Sequence, residues 1–397
     1  MLVLVFVQIL VELCSSLEQR VVVAGATGYI GRAVVKELVS RGVPTIALVR
    51  QDLADVGDST RQFLKGAETI KCDALNKEEL RKVIRDCAPT SAICCLASRD
   101  GLGKNSYAVD YGGGSNLLSA LSELPRSQEH DSPTPHFVLL SAFCVGKPKL
   151  QFQFAKLKLE AELISFVGSA TKVTNITAEG NHILDSDSPN GLPLVTHSIV
   201  RPTAYFKSLD GQIEAARNGG PIVYFGDGNT AANAISEKDL AFFLSDCALK
   251  PKEMDMLNSI RDVGGPDVPA VTKRQQGELI YDALGVPPGG RKFVELPLGI
   301  FTLLLLIINA AKQSAKLFRM HTFFDKCEDA AEIVRIVKYY AEEPMVATNE
   351  GEVKGSMTLK EHFSGLALNN GKLNEIDQYT TTAGVVELLL KNKYVKE

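Results

Sequence analysis

Short apolar runs alternate along the chain with stretches whose apolar residues recur at helical spacing, and glycine-containing turns separate the two kinds of segment. The pattern opens with the run Val21 to Ala24, a glycine turn, and an amphipathic segment from Ala33 to Ser40 that ends at Arg41-Gly42. A second apolar strand, Thr45 to Val49, follows. Beyond it the same reading predicts strand Thr69 to Lys71 ending at Asp73, helix Lys77 to Asp86, strand Ser91 to Leu96 and helix Ser106 to Leu124. Strand His136 to Ser141 and helix Leu150 to Val167 complete the series. Five strands interleaved with helices specify an α/β fold with a doubly wound parallel sheet. From Val195 the chain resumes with a strand, His197 to Arg201, and builds a smaller, mixed C-terminal lobe. The expected organisation is an apolar N-terminal segment (1–19), a first domain (20–167), a surface insertion (168–194), a remaining sheet strand with a second lobe (195–365), and a tail (366–397).

The turn after the first strand carries the first chemistry. Gly25 permits a tight turn, Gly28 lets backbone amides approach a pyrophosphate at the positive end of the helix, and Gly31 lets that helix sit close to the strand. Thr27, Tyr29 and Ile30, lying between these glycines, belong to the same candidate cofactor site. Because the triplet follows a valine run and opens a helix, it reads as the dinucleotide-binding turn of a Rossmann-type, NAD(P)-binding domain. The second strand ends at Arg50, where an acid would bind the ribose 2′-hydroxyl and a cation accommodates a 2′-phosphate. Arg32, in the first helical turn, reaches the same place, so two cations face a dianion and NADPH is favoured over NADH. Asp73 lies where an adenine amino group is read, or serves as a plain turn aspartate. Ligands bind outside the carboxyl ends of such strands, which singles out Ala97 and Ser98 after the fourth strand and Ser141 to Cys144 after the fifth.

The 397 residues are 45% hydrophobic and 23% charged, an ordinary globular composition that excludes a disordered or multi-span membrane chain. A net charge of −4, from 43 basic and 47 acidic residues, leaves no electrostatic footprint for nucleic acid. The eight cysteines show neither a C-x-x-C pair nor zinc spacing, and the six histidines no paired spacing, so no metal site is expected and the thiols point to a reducing compartment. The N-terminal run MLVLVFVQILV is broken by Glu12 after 11 uncharged residues, short of the roughly 20 needed to span a bilayer. It reads either as part of a targeting region or as an element that docks on the domain.

Several segments together carry a family resemblance: GATGYIGRAVVKELVSRG, CCLASRDG, FVLLSAFCVGKPKLQFQFAKLKLEAEL, SIVRPTAYFKSLDGQIEAARNGGPIVYFGDGN and ISEKDLAFFLSDC. The chain resembles the divinyl chlorophyllide a 8-vinyl-reductase family, atypical members of the short-chain dehydrogenase/reductase superfamily. The resemblance covers most of residues 20 to 365. In ordinary members of that superfamily a Tyr-x-x-x-Lys pair supplies the acid. Here Lys156 holds the lysine place and Phe152 the tyrosine place, and a phenyl ring donates no proton. Vinyl reduction forms no alkoxide, so a reductase of this type has little use for the missing phenol. The resemblance implies NADPH-dependent reduction of the 8-vinyl group of a magnesium tetrapyrrole in the chloroplast of a photosynthetic eukaryote, a step of chlorophyll biosynthesis. For the proton donor Ser141, Cys144, Lys156 and a water all stay open, and Lys156 doubles as a ribose anchor.

A flat macrocycle calls for a slot lined by rings. Phe152, Tyr205, Phe206 and Phe225 are candidates for it, Lys207 is a candidate for the pigment carboxylate, and inter-lobe core is the alternative for each ring. Residues 296–311, LPLGIFTLLLLIINAA, run about 16 residues without charge, just short of a span. With Lys312, Lys316 and Arg319 behind them they read as a buried helix or as one lying on a thylakoid or envelope surface. The competing functional class is a non-catalytic NADPH-binding redox sensor or structural subunit, which Phe152 fits equally well.

Overall fold

The computed structural model describes residues 19–124, 134–166, 173–176, 182–184 and 194–368. Seven parallel strands form one sheet: β1 (Val21–Ala24), β2 (Thr45–Val49), β3 (Glu68–Lys71), β4 (Ser91–Cys94), β5 (His136–Leu140), β6 (Thr196–Pro202) and β7 (Ser259–Val263), in the order β7-β6-β5-β4-β1-β2-β3. Helices flanking the sheet include α1 (Tyr29–Ser40), α2 (Lys77–Cys87), α3 (Gly114–Ser122), α4 (Gln151–Ser165) and α5 (Glu237–Leu249). Val21 and Val23 point to the face covered by α1 and α5, while Val22 and Ala24 point to the face covered by α2, α3 and α4. Burial on both faces is why β1 is an unbroken apolar run instead of an alternating one. The strand order reverses between β1 and β4, which places the crevice of the fold at the Gly25 turn.

Three differences from the expected pattern matter. The strand at 195–365 is not alone, because β7 adds to the sheet edge beside β6, in register Asp262 to Arg201, and α5 covers the sheet. β7 reads Ser-Ile-Arg-Asp-Val, and its half-exposed edge position hides it from a search for apolar runs. The helix expected from Ser106 to Leu124 is instead a composite, a helical turn at Gly103–Ser106 followed by a π-helical stretch, Tyr107–Gly113, and then α3. Such wide turns recur at functional sites because they re-aim a side chain. Within the insertion, Val173–Ile176 and His182–Leu184 pair antiparallel where a plain loop is expected. The Asp185 to Gly191 stretch lies outside the described residues, as do residues 1–18 and 369–397.

The smaller lobe packs Phe206, Ile213, Ile222, Ile280, Tyr281 and Phe363 into its own core. Its elements are a parallel pair, Ile222–Phe225 with Phe293–Leu296, and helices α6 (Lys273–Ala283), α7 (Gly299–Leu317), α8 (His321–Glu342) and α9 (Leu359–Leu368). Helices α7 and α8 pack along each other. The far end of α8 returns to the large domain. There Glu332 accepts from the Gln151 amide at 2.9 Å, and Glu343 accepts from Lys149 Nζ at 2.6 Å and Lys147 Nζ at 3.2 Å. These contacts fasten α8 to the start of α4.

Candidate active site

At the switch point Gly25 has φ +78°, and a β-carbon there would stand 2.6 Å from the Cys95 carbonyl oxygen. Only glycine takes this conformation without strain. A β-carbon on Gly31 would meet the Gly25 carbonyl oxygen at 2.2 Å, so this residue sets how closely α1 approaches the turn. Gly28 is exposed and caps α1 with no side-chain acceptor, and the first turn of the helix holds no acid. The N–H groups and the positive end of α1 are thus presented at the crevice, which fits a pyrophosphate. Tyr29 donates to Glu237 Oε2 at 2.7 Å, tying the start of α1 to the start of α5, while Thr27 is half-buried and Ile30 buried in the core beneath.

Arg50 is exposed directly beyond β2. Arg32 is buried, its guanidinium 4.9 Å from the Phe63 ring centroid and 5.8 Å from that of Tyr29. The first cation is open to solvent and the second is held in a stack of rings. Asp73 Oδ1 accepts from the Leu75 amide at 3.0 Å, the geometry of a turn aspartate.

After β4, Ala97 is exposed and Ser98 half-buried. The Ser98 amide donates to Asp110 Oδ2 at 2.8 Å, and its hydroxyl lies 3.0 Å from that of Ser106. The other Asp110 oxygen is 3.1 Å from Lys156 Nζ. Burial alone would lower the Lys156 ammonium, but the charge and hydrogen bond of Asp110 outweigh it and hold the group above its ordinary range. Lys156 is thus a fixed cation, joined through the π-helical Asp110 to the strand end that faces the crevice. The sequence reading missed Asp110. Its one visible signal is an acid standing in a glycine-rich helix start, Val109-Asp-Tyr-Gly-Gly-Gly114.

The three candidate donors occupy different situations. Ser141 is buried and donates to Glu160, a fully buried carboxylate that Arg201 grips through Nε at 3.1 Å and Nη2 at 2.5 Å. Its hydroxyl is committed to that cluster. Lys156 is committed to Asp110. Cys144 is buried in a small apolar cluster with Leu150 and Tyr339, against which Ala142, Phe152, Ile336 and Tyr340 pack, and burial pushes its thiol up.

Of the pigment candidates, Tyr205 is half-buried and meets Tyr29 edge to face at 6.1 Å, which places it beside the glycine turn. Phe152 is half-buried beside Gly101 and Ile336. Phe225 stacks at 4.6 Å on Phe301 of α7. Phe206 is different. It is fully buried in the small-lobe core, 4.8 Å from the His362 ring, and presents no face to a ligand. Lys207 is buried in the 3₁₀ stretch that follows Tyr205. The structure therefore pairs Tyr205 with Tyr29 beside the glycine turn, packs Phe152 against the Cys144 cluster, and buries Phe206 in the small-lobe core.

Sheet order and the glycine turn define a nicotinamide-nucleotide-binding protein of the Rossmann type. A family model described as NAD(P)H-binding matches residues 25–251. Among solved structures, leucoanthocyanidin reductase with NADPH from Vitis vinifera superposes with a TM-score of 0.56 at 13% identity, over 88% of this chain and 99% of that one. The epimerase Mth375 of Methanothermobacter thermautotrophicus gives 0.54 at 14%, over 92% and 96%. At such identities these likenesses speak for the fold alone. The chain is 39% identical to the chloroplastic divinyl chlorophyllide a 8-vinyl-reductase of Cucumis sativus over 336 residues, which is 83% of this chain and 69% of the relative. To that of Oryza sativa subsp. indica it is 38% identical over 349 residues, 86% of this chain and 75% of the relative. The chain belongs to the divinyl chlorophyllide a 8-vinyl-reductase family.

Proposed function

We propose that the protein reduces the 8-vinyl group of divinyl chlorophyllide a, or of the corresponding protochlorophyllide, to ethyl, with NADPH, in the chloroplast. The observation that carries this reading is that the similarity to the vinyl-reductases runs far beyond the nucleotide domain, over 336 residues. Phe152 agrees with it on chemical grounds, because a reaction with no alkoxide needs no phenol at that place. A nicotinamide cofactor fits the site, and NADPH is the form that Arg50 and Arg32 favour. The bound cofactor supplies hydride. The chain's own part is to hold the pyrophosphate at the Gly28 turn, the ribose at Lys156 and the pigment in the crevice between Tyr205 and Phe152. Purified protein incubated with NADPH and 3,8-divinyl chlorophyllide a should yield the monovinyl pigment on chromatography. A protein that binds NADPH yet leaves the pigment unchanged would restore the non-catalytic sensor or subunit reading.

Contact with a membrane surface belongs to the same proposal. On α7, Leu303, Leu306 and Ile307 are 58%, 63% and 58% exposed, and the exposed Lys316 and Arg319 follow them. An apolar helix face with a basic end suits the interface of an anionic bilayer. The run is no buried helix, because only 11% of its most apolar window is covered by the protein. Replacing Leu303, Leu306 and Ile307 together by Ser should release the protein from galactolipid vesicles containing phosphatidylglycerol, and unchanged sedimentation with vesicles would refute the contact.

A further inference from the structure

Phe152 leaves α4 without a phenol, Ser141 is committed to Glu160, and Lys156 is committed to Asp110. Across the crevice, α8 carries two adjacent tyrosines onto the wall formed by Ala142, Cys144, Leu150 and Phe152. They are not equivalent. Tyr339 is buried and donates its hydroxyl to the Cys144 carbonyl oxygen at 3.0 Å, a structural tie. Tyr340 is half-buried, its hydroxyl lies 4.0 Å from Cys144 Sγ, and it makes no shorter hydrogen bond among the described residues. A phenol this close to the catalytic wall and not engaged by a strong acceptor keeps its proton available.

We propose that Tyr340 is the proton donor of the reduction, a phenol carried on α8 against the Cys144 and Phe152 wall, where it serves a carbon and not an alkoxide. The inference rests on the vinyl-reductase reading. One vinyl carbon gains hydride with its electron pair, the macrocycle carries the resulting negative charge, and the neighbouring carbon then takes the proton. That C–H bond forms as the Tyr340 O–H bond breaks, and the phenolate recovers a proton from water once the product has left. The vinyl group is reduced and NADPH oxidised, so electrons and atoms balance. Burial first, then the neighbouring Cys144 and Tyr205, hold the Tyr340 phenol well above its ordinary range. A phenol held there is a weaker acid than a free one, and it gives its proton only to a base as strong as the carbanion that hydride addition leaves. Helix α8 is fixed for this task by Glu332 and Glu343 at the start of α4.

Two single-atom variants separate chemistry from packing. Tyr340→Phe should lower turnover by about 100-fold or more, in the range of a lost general acid. The dissociation constants for NADPH and divinyl chlorophyllide, read by fluorescence quenching, should stay within twofold of the parent. Tyr339→Phe should keep at least a tenth of the parent turnover. An active parent with Tyr340→Phe turnover within threefold of it overturns the assignment and leaves the vinyl-reductase reading standing. Equal losses in both variants with weakened pigment binding also overturn it, because they show that α8 only shapes the pocket. A parent that binds NADPH but converts no divinyl pigment removes the reading and this inference with it.

Discussion

Asp110 Oδ1 stands 3.1 Å from Lys156 Nζ, and both side chains are buried beneath the strand end that carries Ser98. Removing either partner leaves an uncompensated charge inside the protein, at a cost of about 3–5 kcal/mol. Asp110→Ala and Lys156→Ala should each lower stability to urea. The double variant should lose at least about 1 kcal/mol less than the sum, the coupling expected of contacting residues. If the lysine anchors the ribose, as proposed, Lys156→Ala should also raise the Michaelis constant for NADPH. Strictly additive denaturation energies would show that the two groups do not depend on each other.

The glycines of the turn separate fold from binding. A β-carbon on Gly31 meets backbone at 2.2 Å, whereas one on Gly28 stands 3.2 Å from its nearest neighbour. Gly31→Ala should lower stability by about 1–3 kcal/mol, the usual cost of overpacking. Gly28→Val should melt near the parent temperature and lose NADPH, because its side chain stands between the amides and the pyrophosphate. Calorimetric titration gives the decisive number, and an unchanged dissociation constant for Gly28→Val would move the pyrophosphate away from this turn.

The proposed choice of NADPH over NADH rests on the exposed Arg50 and the ring-stacked Arg32. Arg50→Asp should reverse the preference for NADPH over NADH. A charge-assisted hydrogen bond of about 1.5–3 kcal/mol corresponds to roughly ten- to hundredfold in affinity. Equal binding of the two nucleotides by the unaltered protein would take away the basis for NADPH.

The opposite end of the sheet makes a pH prediction. His136, at the start of β5, lies 2.9 Å from both Thr196 Oγ1 and Ser198 Oγ. Burial, with His197 nearby, lowers its imidazole to about 3. The folded protein therefore holds this ring neutral while the unfolded chain takes up a proton below about 6.5. The stabilisation is complete above that value and is lost as pH falls from about 6.5 towards 3, at close to 1.4 kcal/mol per pH unit. Denaturant midpoints at pH 7 and pH 5 should show the drop in the parent and a shallower one in His136→Gln.

Much of the nucleotide half was readable before any coordinates. A strand covered on both faces leaves a run such as Val21-Val22-Val23, and a turn that demands φ +78° leaves a glycine such as Gly25. Both are local demands, written at the residues that meet them. The contacts of Asp110, Glu160 and Tyr340 were not readable. Asp110 is aimed by a π-helical turn that no apolar period announces, and Glu160 finds Ser141 and Arg201 only once β5 and β6 lie side by side. Phe206 misled for the complementary reason: a ring next to Tyr205 in sequence points the other way in space, into the small-lobe core. Helix α7 was legible as apolar, but which of its faces stays bare depends on where α8 packs.

Cys144 and Tyr340 are separated by 196 positions along the chain. A ribosome adding about 5–20 residues per second takes roughly 10–40 s to synthesise that interval. Throughout that time the nascent glycine turn and the Cys144–Phe152 wall exist without their cover. Helix α8, made late, therefore completes the wall at Cys144, and a chain cut short before residue 340 would keep the Gly25 turn and Lys156 while lacking one side of that wall. Damage to the 3′ part of the message and damage to the glycine turn would thus have different biochemical signatures: the first spares nucleotide capture where the shortened chain folds, and the second abolishes it.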